Sequence, residues 1–257
     1  MSTKTGIPIV LKAAAPAGRS RGEQLAQAFD LTISQTENPD ELRLICDDDR
    51  LSLHGPAAMK LGGISVDFTG IDLRSASGNL SPKQPLARAV GAKAATVLDA
   101  TAGMGQDAFL LACMGYHVLS IERSPVIAAL LADGLRRAEQ DPQLSRAMGG
   151  RLRFLHGDAR EILANAADQP DAVYVDPMFP PKRRSSALPK KQIQLLRLVV
   201  GDDPDVNELF QQALRAARQR VIVKRPTHAA PLDQPTMSLE GKLVRYDVYV
   251  VTAGVNE

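Results

Sequence analysis

The stretch VYVDPMFPPKRR, residues 173–184, sets a lone carboxylate, Asp176, after three apolar residues and ahead of Pro177, Phe179 and three cations. Proline lacks a backbone donor, fixes φ and biases the residue before it towards an extended conformation, so the turn is stiff and the Pro177 carbonyl is left as an acceptor. An acid and a carbonyl held still can grip the N–H groups of an amine and aim its lone pair at an electrophile, chemistry that needs positioning more than acid–base power. Phe179 offers a face on which a displaced base can stack, a contact worth about 1 to 3 kcal/mol. Lys182, Arg183 and Arg184, then Lys190 and Lys191, would lie beside that pocket, where nucleic-acid phosphates pass.

A second group stands in VLDATAGMGQDAFLLA, residues 97–112. Gly103 and Gly105 let a backbone pass close to a ligand, and the helix that follows presents free N–H groups and a positive dipole end. GMGQDA also satisfies the dinucleotide fingerprint with Ala in the last place, so the loop alone suits either a nicotinamide dinucleotide or S-adenosylmethionine. Asp99, four residues before Gly103, would repel a pyrophosphate but meet a methionine ammonium, which favours S-adenosylmethionine. Glu122, nineteen residues after Gly103, ends the next strand, where an acid accepts hydrogen bonds from ribose hydroxyls. Asp158, in LHGDAREIL, precedes a helix. It can serve as N-cap, with Glu161 three residues on in capping-box fashion, and can also accept from an adenine amino group.

The elements that must position these groups read as an α/β fold. Apolar segments TVLDA, HVLSIE, LRFLHG, AVYVD and RVIVK alternate with helix-like QDAFLLACMG and PVIAALLADGLRRAEQ, the pattern of parallel βαβ units. A doubly covered sheet of this kind binds ligands at the carboxyl ends of its strands. LVRYDVYVVT alternates and is expected to close the sheet antiparallel. Before residue 78, LRLICD and LSLH read as short strands about the acidic turn Asp47–Asp49, and GGISVDFTG as another, which together predict a small antiparallel sheet. The segment AAAPAG, residues 13–18, resembles low complexity. The turn-rich SASGN, residues 75–79, marks the expected boundary between an N-terminal α+β subdomain, 1–78, and a larger domain, 79–257.

Composition excludes several classes. With 44% apolar and 23% charged residues and no apolar run near the length of a membrane span, the chain reads as a globular protein able to bury a large core. Its N-terminus lacks the pattern of a secretory signal, so the cytoplasm is the expected location. Cys46 and Cys113 have no ligand or disulfide spacing, and His54, His117, His156 and His228 show none either, so no metal is expected. The net charge of +2 is too small to imply a nucleic-acid partner, yet residues 177–201 hold six cations and no acid.

DATAGMGQDAFLLA, IERSPVIAALLADGL, VDPMFPPKRRSSALPKK and VIVKRP together resemble the bacterial small-subunit ribosomal RNA guanine-N2 methyltransferase J family, which modifies the guanine called 1516 of 16S rRNA. The likeness runs over roughly residues 60–250. It implies a class I S-adenosylmethionine-dependent methyltransferase fold, Rossmann-like and mostly parallel, acting on 16S rRNA or the small ribosomal subunit. It further implies that Gln106, Asp107, Glu122, Arg123, Asp158, Ala159 and Asp176 meet the cofactor. Met178 departs from the Asn/Asp-Pro-Pro-Tyr/Phe pattern of amino methyltransferases at its third place. Lys224 and Arg225, at the end of VIVKRP, would contact RNA phosphates or anchor the pocket. The residues alone leave open a DNA or other RNA exocyclic-amine methyltransferase, a nicotinamide-dependent oxidoreductase and a non-catalytic RNA binder.

Overall fold

Short aliphatic runs form the strands of this protein, and a computed structural model describes residues 6–74, 78–166, 168–178, 191–201, 204–241 and 243–251. In chain order the elements are β1 (Ile9–Leu11), α1 (Pro16–Ala28), β2 (Ile33–Ser34), β3 (Arg43–Cys46), β4 (Leu51–His54), a 3₁₀ turn (Ala57–Met59), α2 (Pro85–Val90), β5 (Thr96–Asp99), α3 (Gln106–Cys113), β6 (His117–Glu122), α4 (Pro125–Gln140), α5 (Pro142–Met148), β7 (Leu152–His156), α6 (Ala159–Ala164), β8 (Ala172–Val175), α7 (Lys191–Val200), α8 (Val206–Ala216), β9 (Arg220–Pro226), β10 (Met237–Glu240) and β11 (Val244–Val250). They gather in two compact units: residues 6–68, 124–141 and 191–201 form one, and the remaining described residues the other.

The second unit is built on a seven-stranded sheet of order β10-β11-β9-β8-β5-β6-β7. The five strands read from the sequence, β5 to β9, pair parallel. β11 runs antiparallel as expected, but between β9 and β10. β10, MSLE, escaped the sequence reading because only Leu239 of its four residues turns inward, and its edge position asks for no apolar alternation. Val97, Tyr174, Ile222, Tyr246 and Val248 face one way, against Leu86, Ala108 and Leu111 of α2 and α3. Leu98, Val173, Val175, Val221 and Val223 face the other way, against Leu163 and Phe210 of α6 and α8. Alternation along each strand thus feeds two cores, one on each face of the sheet, the doubly covered α/β arrangement expected from the sequence.

At the amino end of this sheet Asp171 joins three strands. Its carboxylate accepts from the Ala95 N–H at 2.8 Å, the Thr96 N–H at 3.1 Å and Gln219 Nε2 at 3.0 Å. Burial works to raise its proton affinity, but the Ala95 and Thr96 N–H groups outweigh it and hold the carboxyl below the usual range.

In the first unit the four-stranded sheet has the order β2-β1-β3-β4. β1 pairs parallel with both β2 and β3, and only β3 and β4 form an antiparallel hairpin, so the sheet is mixed rather than antiparallel. Parallel pairing of β1 with β2 needs a crossover, and α1 supplies it. α1 begins within the segment read as low complexity, with Pro16 at a first helical position, where its missing N–H costs nothing. Its buried residues, Gly18, Gly22 and Ala26, recur every fourth residue. A Cβ at Gly22 would strike Leu11 and Cys46, so the face that packs is small rather than apolar and carries no hydrophobic period. GGISVDFTG forms no strand beyond one bridge, Leu53 to Ile64, and the Val66 carbonyl is taken instead by the Arg137 guanidinium.

Asp133 of α4 binds this unit together. Its side chain is fully buried, accepts from the Leu51 N–H at 2.9 Å, and meets Arg136 and Arg137 at 3.1 Å and Arg21 at 3.4 Å. Removing one partner from such a buried set leaves the others uncompensated. Asp133→Ala is therefore expected to cost about 3 to 5 kcal/mol, read as a lowered urea midpoint for the N-terminal unit.

Asp171 predicts a pH dependence. Because its folded proton affinity is depressed, its contribution to stability is full above the unfolded value, about 3.9, and is lost as pH falls through the lower folded value. Asp171→Asn should lower stability at neutral pH and flatten the acid-side decline, measured by thermal unfolding between neutral and acidic buffers.

Candidate active site

The carboxyl ends of β5, β6 and β7, neighbours in the sheet, bring Asp99, Glu122 and Asp158 to one edge. Asp99 is 2% exposed and accepts the Thr101 N–H at 3.0 Å. Burial pushes its carboxyl up to about 8, opposed by the Thr101 N–H and Lys224 and reinforced by Asp107 and Asp176. The chain then turns through Gly103, φ 53°, and Gly105, φ 75°, left-handed values that glycine adopts without strain. The Gly103 N–H donates to Glu122 Oε2 at 2.9 Å, so the acid at the end of β6 braces the loop. α3 begins at Gln106 with no side-chain cap on Gly105.

Asp158 caps α6, accepting from the Arg160 N–H at 2.9 Å. That is the second helical N–H, not the third as in a capping box. The Arg160 guanidinium folds back on the same carboxylate at 2.6 Å and holds it below the usual range. Arg160 also reaches Glu208 at 2.6 Å, and Arg123 pairs with Asp205 at 2.6 Å, so Arg123 and Asp158 end in one chain of charges. Ala159 is buried among Leu98 and Ile121, which leaves it a backbone role.

The fourth edge residue, Asp176, follows β8. Its N–H donates to Thr101 Oγ1 at 2.6 Å, a direct link between the Asp-Pro turn and the glycine loop. Asp176 Oδ2 lies 3.0 Å from Lys224 Nζ, which also stands 2.6 Å from Asp107 Oδ2. The Tyr174 hydroxyl donates to that same Asp107 oxygen at 2.6 Å. Burial works against the charge of Lys224, but Asp176 and Asp107 raise its proton affinity well above the usual value. Burial and the same acids push Tyr246 up to about 12 and hold Tyr174 well above its usual value. Pro177 is buried and Met178 half-buried.

The structure thus brings together Asp99, Gly103, Gly105, Gln106, Asp107, Glu122, Asp176, Pro177 and Lys224, and links Arg123 with Asp158. Of the two roles left open for Lys224, the geometry fits the anchor: it holds two carboxylates. Arg225, one residue on, is 8% exposed and donates to the Ala230 carbonyl, so it has little surface to offer a phosphate. Phe179, Lys182, Arg183, Arg184 and Lys190 lie outside the described residues, as does the Lys191 side chain. Sequence reasoning missed Thr101, whose signal was a hydroxyl inside the glycine loop, and gave Tyr174 and Tyr246 no chemical part. Among the described residues no cluster of His, Cys, Asp or Glu could hold a metal ion, and no helix is long and apolar enough to cross a membrane.

These residues fit S-adenosylmethionine. The bare loop backbone and uncapped start of α3 leave room for the cofactor, and the acids at three strand ends are acceptors for an ammonium, ribose hydroxyls and an adenine amine.

A family model described as a putative SAM-dependent methyltransferase matches residues 24–251. The ribosomal RNA small subunit methyltransferase J of Shewanella amazonensis is 44% identical over 236 residues, covering 90% of this chain and 94% of its own. The protein of the same name from Thioalkalivibrio sulfidiphilus is 44% identical over 240 residues, 90% and 93% of the two chains. A crystal structure of a SAM-dependent methyltransferase from Neisseria gonorrhoeae superposes with a TM-score of 0.74 at 30% identity, over 96% of this chain and 97% of that one. Matches of this identity over about nine-tenths of both chains show that the chain belongs to the ribosomal RNA small subunit methyltransferase J family of S-adenosylmethionine-dependent enzymes.

Proposed function

We propose that this protein methylates the exocyclic N2 amine of a guanine in 16S rRNA, the guanine called 1516, in the cytoplasm. The names of its relatives support the small-subunit RNA as substrate. The amine and the position rest on the Asp-Pro-Met-Phe turn and the family resemblance. The single observation that carries the reading is the hydrogen bond from the Asp176 N–H to Thr101, which fixes the amine-holding turn against the cofactor loop.

S-adenosylmethionine supplies an electrophilic methyl group when bound. The chain's own residues hold the amine: Asp176 and the Pro177 carbonyl accept its two N–H groups, and the lone pair is left facing the glycine loop. Phe179 stacks the guanine, and Lys182, Arg183, Arg184, Lys190 and Lys191 meet the RNA backbone.

Asp176→Ala should lower tritiated methyl incorporation into 16S rRNA from a strain lacking the enzyme by at least about 10²-fold, with S-adenosylmethionine binding weakened far less. Mass mapping of the product should find N2-methylguanosine at the single expected position; methylation of another atom or base would overturn the assignment. Replacing Lys182, Arg183 and Arg184 with Gln should reduce the slope of log affinity against log salt by up to about 2, at about 0.7 per phosphate lost. An unchanged slope would remove that segment from the RNA interface.

A further inference from the structure

Beside the Asp176 turn stands the ammonium of Lys224, the anchor of two carboxylates. Lys224 Nζ lies 2.6 Å from Asp107 Oδ2 and 3.0 Å from Asp176 Oδ2, so it touches both the first turn of α3 and the turn after β8. It comes from β9, paired directly with Tyr246 of β11. We infer that Lys224 is a positioning residue for the methyl transfer: its ammonium ties the amine-holding turn to the cofactor helix and keeps Asp176 ionised among its like-charged neighbours. The inference rests on the proposed role of Asp176.

Among the described residues, the groups facing Asp176 are Asp99 of β5, Asp107 of α3, Tyr174 of β8, Lys224 of β9 and Tyr246 of β11. Two of the five are carboxyls, two are phenols, and Lys224 supplies the cation among them. Asp176 must accept a hydrogen bond from the amine, and a protonated carboxyl has lost part of that capacity. Nearby anions favour its protonation and the adjacent ammonium opposes it. Geometry adds a second task. The Asp176 side chain is 35% exposed and the ion pair restrains it against Lys224, which is 22% exposed and is itself held by Asp107, 20% exposed and fixed by Tyr174.

The test uses the full chain and 16S rRNA, comparing wild type with Lys224→Met, Lys224→Arg, Asp107→Asn and Asp176→Ala, with S-adenosylmethionine binding measured separately. Lys224→Met should lower kcat about 10²-fold. The acid limb of its kcat–pH profile should move up by about 1 to 3 pH units as Asp176 loses the adjacent ammonium. Lys224→Arg keeps the charge and should restore the limb. Asp107→Asn removes a competing anion and should move the limb down, the opposite sign. A Lys224→Met enzyme with unchanged kcat, or one that loses rate with the limb unmoved in it and in Asp107→Asn, would overturn the inference. If Lys224→Met does not fold, the limbs of Lys224→Arg and Asp107→Asn decide: one in place and the other lowered supports the inference, both unmoved refutes it. Asp176→Ala separates the two levels, since full activity there sinks the role of the turn itself, while an inactive Asp176→Ala beside a normal Lys224→Met sinks only the role of Lys224.

Discussion

Among the described residues one ammonium, that of Lys224, stands among the carboxyl groups of Asp99, Asp107 and Asp176 at the carboxyl edge of the sheet and ties two of them together. Lys224, Asp99, Asp107 and Asp176 come from β9, β5, α3 and the turn after β8, segments that meet only because the strands are in register. Asp99 pairs with Tyr174, Tyr174 with Ile222, and Lys224 with Tyr246, so all four polar side chains share one face. A slip of one residue in β9 would send Lys224 into the opposite core and bring Arg225 to the acids. The two cores forbid that slip, because Val221 and Val223 fill one and Ile222 the other. Packing of the second unit thus sets the electrostatics of its site.

The acids at the strand ends share a position but not a task. Asp99 is buried and, among the described residues, accepts the Thr101 N–H amid its neighbours' charges. Glu122 braces the loop through Gly103, and Asp158 is divided between a helix cap and Arg160. An edge acid that hydrogen-bonds its own scaffold is oriented before a ligand arrives, which reduces the ordering that binding must impose. Thr101 extends the same logic to Asp176, fixing its backbone so that only the carboxylate needs Lys224.

Most strands of the larger sheet were legible because each is a short apolar run bounded by turn residues, and α4 because its sixteen-residue run opened by Pro125 is too long for a strand. What stayed hidden has physical reasons. α1 packs through glycines, so its contact face has no apolar stripe; β10 is an edge strand with one inward residue; and GGISVDFTG buries Val66 and Phe68 outside any strand. The acids of the site were legible one by one from their places after strands. The joining of Lys224 to Asp107, 117 residues apart, was not, because long-range pairing leaves no local mark.

The charge balance also separates the two cofactors between which the glycine pattern GMGQDA does not choose. Among the described residues, the carboxyl groups of Asp99, Asp107 and Asp176 gather round one ammonium, that of Lys224, so acids outnumber cations there and leave a negative balance. In a partly buried site such a residue of charge acts over several ångströms with little screening. It repels a pyrophosphate, which brings two negative charges of its own, and attracts a sulfonium bearing an α-ammonium. A dinucleotide site solves the opposite problem, keeping acids away from the glycine turn so that the helix dipole meets phosphate unopposed. Here the acids crowd that turn, and the same glycines that would cradle an anion elsewhere serve a cation.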